Sequence, residues 1–150
     1  GVVNAQVNLG TMYYEGHGVP QDYKEAAKWY RLSAKQGNVA GQYNLGLMYR
    51  RGHGVPQDYK EAAKWFRLPA EQGFAPTQGH LGLMYAKGEG VLQDYVLAHM
   101  WLNLCGSDGI KECVGNRNML EKKMTPSQIA KAQEMARNWK QKNENQRNEN

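Results

Sequence analysis

The sequence predicts an all-α fold made of stacked helix-turn-helix repeats. The strongest observation is a segment that occurs twice: residues 16–32 and 52–68 are identical at sixteen of seventeen positions, at an offset of 36 residues. A looser third copy begins at Gly88 with the same offset. A fixed period between about 20 and 50 residues is the signature of a repeat protein, in which each unit packs on its neighbours.

The first half of each period has the pattern of an amphipathic helix that ends at a glycine. Leu9, Met12 and Tyr13 fall at helical spacing, and each has an equivalent in the next two periods. Gly10 has no Cβ and lets a neighbouring backbone approach closely. Gly16 follows the last helical position, where glycine adopts a left-handed C-cap at little cost. We therefore predict a helix that ends at Gly16 and leads into a turn.

The second half of each period begins with a capping residue. Asp22 is a favourable N-cap, and Glu25, three residues later, completes a capping-box-like pair. Ala26, Ala27 and Tyr30 then form one apolar stripe of a second helix. A single hairpin cannot bury both of its apolar stripes, so we predict that successive hairpins stack on one another.

The period divides the chain into four units and a tail. We predict one domain over residues 1–142, with repeats at about 2–37, 38–73 and 74–109, a degenerate fourth repeat at 110–142, and a disordered polar tail at 143–150. In the fourth unit, the sequence from Thr125 to Gln128 is a helix-start signal. We interpret this unit as a pair of helices that caps the stack.

One proline interrupts the second repeat. Pro69 lies inside the predicted second helix, where the first repeat has Ser33. Proline has no N–H and cannot donate to the carbonyl oxygen of Trp65. We therefore predict a kink or an early end of this helix.

These residues resemble the Sel-one-like repeat, a relative of the tetratricopeptide repeat. The resemblance rests on the string A-x-x-x-L-G-x-M-Y-x-x-G-x-G-V-x-x-D-Y-x-x-A-x-x-W, which the chain follows in three repeats over residues 5–104. The resemblance implies a right-handed α-solenoid of tetratricopeptide-like hairpins whose first helices line a concave surface. It also implies a scaffold role in protein complexes.

By resemblance to tetratricopeptide grooves, the exposed positions of the first helices are candidates for partner binding. These positions are Asn8, Thr11, Tyr14, Tyr43, Asn44, Leu47, Arg50, His80 and Leu83. An asparagine side chain offers a donor and an acceptor, which suits the backbone of an extended peptide. Leucine adds apolar contact, and arginine can pair with an acidic group. The alternative is that the asparagines form hydrogen bonds within the stack, between neighbouring loops.

Two cysteines bracket the turn between the third and fourth units. Seven residues separate Cys105 from Cys113, a spacing that can bring the thiols across a tight turn if both flanking helices form. The spacing resembles that of cysteine-rich secreted members of the family, although they place a bridge in each repeat. Two free thiols at alanine-like positions are the alternative. A bridge indicates a periplasmic or secreted protein, and free thiols indicate a cytoplasmic one.

One repeat column superficially suggests a metal site. His17, His53 and Glu89 occupy equivalent positions in the three repeats. Equivalent residues of stacked helices are about 10 Å apart, whereas zinc ligands lie about 2.0–2.2 Å from the ion. We therefore expect no metal site and no cofactor.

No catalytic constellation is evident in the sequence. None of the three serines (Ser33, Ser107 and Ser127) is followed by a lysine three residues later, so the Ser-x-x-Lys signature is missing. The glycines mark turns and do not form a phosphate-binding motif. We therefore predict that the chain is not an enzyme.

The charge distribution is typical of a solvated surface. The net charge is +5, and residues 111–150 contain nine basic and five acidic residues. This modest excess favours a solubilising cap over a nucleic-acid site. No apolar run approaches the roughly 20 residues of a membrane span. We expect a monomer that binds a protein or a peptide, and no nucleic acid.

Three functions are compatible with these observations. The first is a scaffold or adaptor that binds a peptide or partner surface on its concave face. The second is a cell-envelope protein that binds, or weakly hydrolyses, peptidoglycan-like material. The third is an architectural fragment of a longer repeat array, because the first helix has no evident N-cap. The sequence begins at Gly1 and not at a methionine, and a removed signal peptide and a fragment are both compatible with that start.

Overall fold

The computed structural model describes all residues, 1–150, and contains eight helices and no strand. The helices are α1 (Val2–Glu15), α2 (Tyr23–Lys35), α3 (Val39–Arg51), α4 (Tyr59–Glu71), α5 (Ala75–Lys87), α6 (Tyr95–Ser107), α7 (Lys111–Glu121) and α8 (Pro126–Asn148). Tyr23, Tyr59 and Tyr95 begin the second helices of three successive repeats. The predicted all-α repeat of about 36 residues is confirmed.

The chain forms two compact units, the first over residues 1–77 and the second over residues 78–150. Helices α1 to α4 lie in the first unit, and α6 to α8 lie in the second. None of the eight helices has both the length and the apolar composition that a membrane crossing requires.

The predicted caps form at the second helices. The Asp22 carboxylate accepts a hydrogen bond from the backbone N–H of Glu25 at 3.1 Å, and Asp58 and Asp94 do the same in their repeats. The reciprocal half of the predicted capping box is wrong. The Asp22 N–H donates to the carbonyl oxygen of Tyr13 at 2.9 Å, and the Glu25 carboxylate accepts from Lys28 Nζ instead.

A full capping box forms at the start of α8. The Thr125 hydroxyl accepts from the Gln128 N–H at 3.2 Å, and the Thr125 N–H donates to the Gln128 side chain at 2.9 Å. Pro126 occupies the first turn, where its missing N–H costs nothing. The helix-start signal in the sequence is therefore confirmed.

The core of the first unit lies where the first hairpin meets the next first helix. Ala26, Ala27, Tyr30 and Ala34 of α2 pack with Leu45 and Met48 of α3, and all six are buried. The small alanines leave room for α3, and its leucine and methionine fill that room. Burying one leucine or methionine side chain stabilises the fold by about 1.5–3 kcal/mol.

Glycine allows the two helices of a hairpin to approach closely. A Cβ at Gly10 would lie 2.8 Å from the Tyr30 ring, and one at Gly46 would lie 2.5 Å from the Phe66 ring. Both distances are shorter than non-bonded carbon atoms tolerate. The glycine therefore makes room for an aromatic side chain, whereas the sequence led us to expect the close approach of a neighbouring backbone.

Pro69 does not shorten its helix. Helix α4 continues to Glu71, the position equivalent to the end of α2 at Lys35. The prediction of an early end is wrong because the proline lies in the last turn and removes only its own N–H. The amides of Gln72 and Phe74 still donate to the carbonyl oxygen of Pro69 at 3.1 and 3.0 Å.

In the second unit, α7 and α8 both pack against α6. The rings of Trp101 in α6 and Trp139 in α8 meet edge to face, with centroids 6.3 Å apart. The two C-terminal helices therefore cover α6.

Helix α8 extends further than the sequence suggested. It continues to Asn148, whereas a disordered tail was expected from residue 143. Within this stretch, the Asn143 side chain donates to the carbonyl oxygen of Trp139 at 2.8 Å. Propagating an existing helix needs only one more hydrogen bond per residue, so a polar sequence can extend a nucleated helix.

Candidate partner-binding face

Asn8 and Asn44 occupy equivalent positions on α1 and α3 in the first unit. Asn8 is exposed and Asn44 is half-buried. Neither side-chain amide has a hydrogen-bond partner within the chain. These two groups are therefore available to bind an external group.

Thr11 is committed to the fold. Its hydroxyl donates to the carbonyl oxygen of Val7 at 3.1 Å and lies 3.0 Å from the Tyr30 hydroxyl. Burial raises the pKa of the Tyr30 phenol above its ordinary value, and the hydrogen bond to Thr11 partly opposes this shift.

Tyr14 belongs to a cluster that the sequence did not reveal. Its hydroxyl lies 3.1 Å from His53 Nδ1 and accepts a hydrogen bond from Arg51 Nη1, also at 3.1 Å. The Tyr23 ring stacks on the His53 ring, with centroids 4.5 Å apart and planes 2° apart. The four side chains join the first hairpin to the turn that follows α3.

His53 therefore has a packing role in the first unit. Its column neighbour His17 lies elsewhere, with Nδ1 3.0 Å from the Glu15 carboxylate on an exposed surface. No group of three His, Cys, Asp or Glu side chains is placed to hold a metal ion. The residues that His53 contacts, Tyr23 and Tyr14, lie 30 and 39 residues away in sequence.

The other predicted residues of α3 are partly buried. The Tyr43 ring packs against Phe66 and Phe74, with centroids 6.2 and 5.6 Å away. Leu47 and Arg50 are half-buried, and the Arg50 carbonyl oxygen accepts from Gln57 Nε2 at 2.9 Å. The Tyr43 ring is therefore part of the packing of the first unit.

In the second unit, His80 and Leu83 lie on α5 and are half-buried. The same helix carries Gly79, where a Cβ would lie 2.9 Å from Cys113 Sγ. A larger residue than glycine at this position would displace the sulfur.

Cys105 and Cys113 form a disulfide between α6 and α7, with Cα atoms 5.9 Å apart. Both residues are buried, and the chain has no free cysteine. Of the two alternatives that the sequence left open, the structure has the bridge and not the free thiols. Between the first and second repeats, the equivalent residues are Ser33 and Gly41. These two residues also lie close together: a Cβ built at Gly41 would overlap the serine hydroxyl.

A second link between α6 and α7 was not evident in the sequence. His99 is fully buried, and its Nε2 lies 2.8 Å from the Glu121 carboxylate. The histidine Nδ1 is buried without a partner. The two residues are 22 positions apart, so no local sequence pattern could have paired them.

The eight helices and their repeated spacing define a helical-repeat protein. The sequence profile of the Sel1 repeat matches residues 3–38, 39–74 and 76–104. The chain therefore belongs to the Sel1 repeat family. The profile does not extend over the last two helices, α7 and α8, which the sequence indicated as degenerate.

Solved structures with Sel1 repeats are similar to this chain. One is c5321, a protective antigen present in uropathogenic Escherichia coli strains displaying an SLR fold. It has a TM-score of 0.84 and 37% identity over 91% of this chain and 29% of that chain. Another is a Sel1 repeat protein from Oxalobacter formigenes, with a TM-score of 0.75 and 32% identity over 78% of this chain and 48% of that chain.

The chain thus spans less than half the length of either of these two proteins. None of the curated protein sequences compared with this chain matches it.

Proposed function

We propose that the chain is a protein-interaction scaffold that binds an extended peptide or a partner surface through its first helices. The observation that carries the proposal is the pair of unpartnered amides on Asn8 and Asn44, one repeat apart on α1 and α3. Each amide can donate to a carbonyl oxygen and accept from an N–H of a peptide backbone. A side-chain amide repeated on successive first helices suits an extended peptide, because the peptide backbone also repeats its N–H and carbonyl groups.

Apolar and charged groups on the same helices add selectivity. Leu47 offers apolar contact beside Asn44, and Arg50 offers a cation for an acidic group. In the second unit, His80 and Leu83 are the candidates on α5. Thr11, Tyr14 and Tyr43 are also within the proposed face, but their side chains already bind or pack within the first unit. We assign these three to shaping the face.

The test replaces the two amides. The variant Asn8→Ala/Asn44→Ala removes hydrogen-bonding groups without removing any bond within the chain, so we expect its Tm to stay unchanged. Proteins captured from the native lysate by the wild type should be lost or strongly depleted with the variant. Gln133→Ala, an exposed position on α8, is the matched control. Equal capture by the wild type and the double variant, with equal Tm, would remove these amides from the binding face.

We further propose that the protein works in an oxidising compartment, in the periplasm or outside the cell. The buried Cys105–Cys113 disulfide supports this location, because such bonds persist where thiols are not kept reduced. An envelope role that involves peptidoglycan-like material is the second candidate function. Alkylation of unreduced protein taken directly from producing cells tests the location. Two modified cysteines would contradict it.

For the envelope role, the purified chain should co-sediment with isolated sacculi. Release of soluble fragments during the same incubation would reveal hydrolysis. Absence of co-sedimentation would rule out the binding role, whereas the scaffold proposal depends only on the Asn8 and Asn44 variant.

A further inference from the structure

The second helices of the first unit carry apolar side chains on an open face. Leu32 of α2 is 47% exposed, and its equivalent on α4, Leu68, is 44% exposed. Trp29 and Trp65 precede them by almost one helical turn and are half-buried. Trp65 also packs against the core between α2 and α3. Positions three apart share one side of a helix. We call these four residues the outer Trp–Leu face.

The third copy of this face is covered. Trp101 and Leu104 of α6 occupy the equivalent positions and are 7% and 2% exposed. Helices α7 and α8 pack on α6, and the Trp101 ring meets the Trp139 ring of α8. In the second unit, packed helices therefore cover both side chains, whereas on α2 and α4 the leucines stay exposed and the tryptophans are half-buried.

The covering helix shows which chemistry fits this face. On its packed side, α8 presents Ala132 and Ala136, both buried, and the half-buried Trp139. Small residues let the helix axes approach closely, and the tryptophan fills the space beside the facing tryptophan. On its other side, α8 is polar and exposed.

We propose that the outer Trp–Leu face docks an amphipathic helix of a partner protein, with small residues and an aromatic residue on its apolar side. The docking site is independent of the face formed by Asn8 and Asn44. It uses the second helices of the repeats, where the first proposal uses the first helices. A helix-in-groove partner is a recurring class in peptide recognition.

The α2 face differs from the α6 face in one respect that defines its partner. Where α6 has Leu97 and Met100, α2 has Glu25 and Lys28, which form an ion pair at 2.7 Å. The apolar part of the α2 face is therefore shorter than that of α6. The partner helix should be apolar opposite Trp29 and Leu32 and polar opposite the ion pair.

The probe is a fluorescein-labelled synthetic peptide of residues 125–148, which contains α8, titrated with the full chain and followed by anisotropy. We expect saturable binding that weakens at least tenfold in the variant Leu32→Ser/Leu68→Ser. Both leucines are already largely exposed, so the variant should keep its helical circular dichroism and its Tm. Leu92→Ser is the matched control because Leu92 is 90% exposed and lies outside the outer Trp–Leu face.

A gain of affinity gives a second readout. Replacing Glu25 and Lys28 with the α6 residues, as Glu25→Leu/Lys28→Met, lengthens the apolar face and should tighten peptide binding at least fivefold. The variant Asn8→Ala/Asn44→Ala should bind the peptide like the wild type, so failure of one proposal is distinguishable from failure of the other.

Three results would overturn the docking site. The first is absence of peptide binding, and the second is equal binding by the wild type and Leu32→Ser/Leu68→Ser. The third is self-association of the chain that Leu32→Ser/Leu68→Ser abolishes, because a second copy would then occupy the face.

Discussion

Helices α1 and α3 of the first unit have the same leucine and methionine at equivalent positions, but they bury them differently. Leu45 and Met48 of α3 are 0% and 1% exposed, whereas Met12 of α1 is 39% exposed and Leu9 is half-buried. Helix α2 packs on α3 and covers its apolar stripe. On α1, the methionine of the same stripe stays partly in contact with water. In this repeat protein, the exposure of a side chain therefore depends on which helix packs against it, and not on its residue type or its place in the repeat.

A second difference lies within the two near-identical segments. Their single mismatch is Tyr30 against Phe66. The residue that bonds the Tyr30 hydroxyl is Thr11, and the position equivalent to Thr11 in the second repeat is Leu47. A polar pair in the first repeat thus corresponds to an apolar pair in the second, so the two positions change together.

The largest expected effect on stability tests the difference in burial between α1 and α3. Leu45→Ala leaves a cavity in the core between α2 and α3, and should lower the free energy of unfolding by about 2–5 kcal/mol. Leu9→Ala removes a side chain that is already partly in water, so we expect a loss below about 1.5 kcal/mol. Urea unfolding of both variants checks the difference. Equal losses would show that α1 is covered as fully as α3.

The second largest effect on stability concerns the contact between Gly46 and the Phe66 ring. Gly46→Ala places a methyl group against the Phe66 ring and should destabilise the fold by about 1–3 kcal/mol through overpacking. Gly115→Ala, in α7, is the control because a Cβ there meets nothing within 4 Å. That variant should gain about 0.5–1 kcal/mol from helix propensity. A neutral Gly46→Ala variant would mean that the ring can move aside freely.

The smallest effect tests the Thr11–Tyr30 pair. Tyr30→Phe removes one neutral hydrogen bond and should cost about 0.5–1.5 kcal/mol, because Thr11 keeps its bond to Val7. Adding Thr11→Leu reproduces the apolar pair of the second repeat and should recover part of that loss. A double-mutant cycle from thermal or urea unfolding measures the coupling. Strict additivity of the two changes would contradict the pairing.

Tyr30 also makes the stability of the wild type depend on pH in a direction that Tyr30→Phe should remove. Burial raises the pKa of Tyr30 in the folded state above 10.0, so the unfolded state loses its phenolic proton first as the pH rises. The stability from this tyrosine is therefore present below about pH 10 and is lost above it. The wild type should lose more stability than Tyr30→Phe between pH 9 and about pH 11. Parallel losses would show that Tyr30 ionises alike in both states.

Features that depend on neighbouring residues were predicted correctly from the sequence. The Asp22 and Thr125 caps act over three residues, and their sequence signals are therefore complete. Where the sequence failed, a distant partner decided the outcome. Glu25 could not complete a capping box because the Asp22 N–H was taken by Tyr13, nine positions earlier.

The candidate face was predicted less well than the helices. The sequence placed Thr11 and Tyr14 among the exposed positions, and both are first-helix residues as expected. It could not show that Tyr30, His53 and Arg51 bind their hydroxyls, because these partners lie 19 to 39 positions away. For the cysteines, spacing alone left the bridge open, and the orientation of α7 on α6 decided it.

The sequence by itself determined the hairpins, their period and their caps, because glycine turns, N-caps and apolar stripes act over one or two helical turns. The tertiary structure decided which of the equivalent side chains in the three repeats are buried in the core and which are exposed at the surface. Leu32 and Leu68 remain open while Leu104 is covered. These residues have the same type and the same place in their repeats, so only the helix that packs beside each of them distinguishes their surroundings.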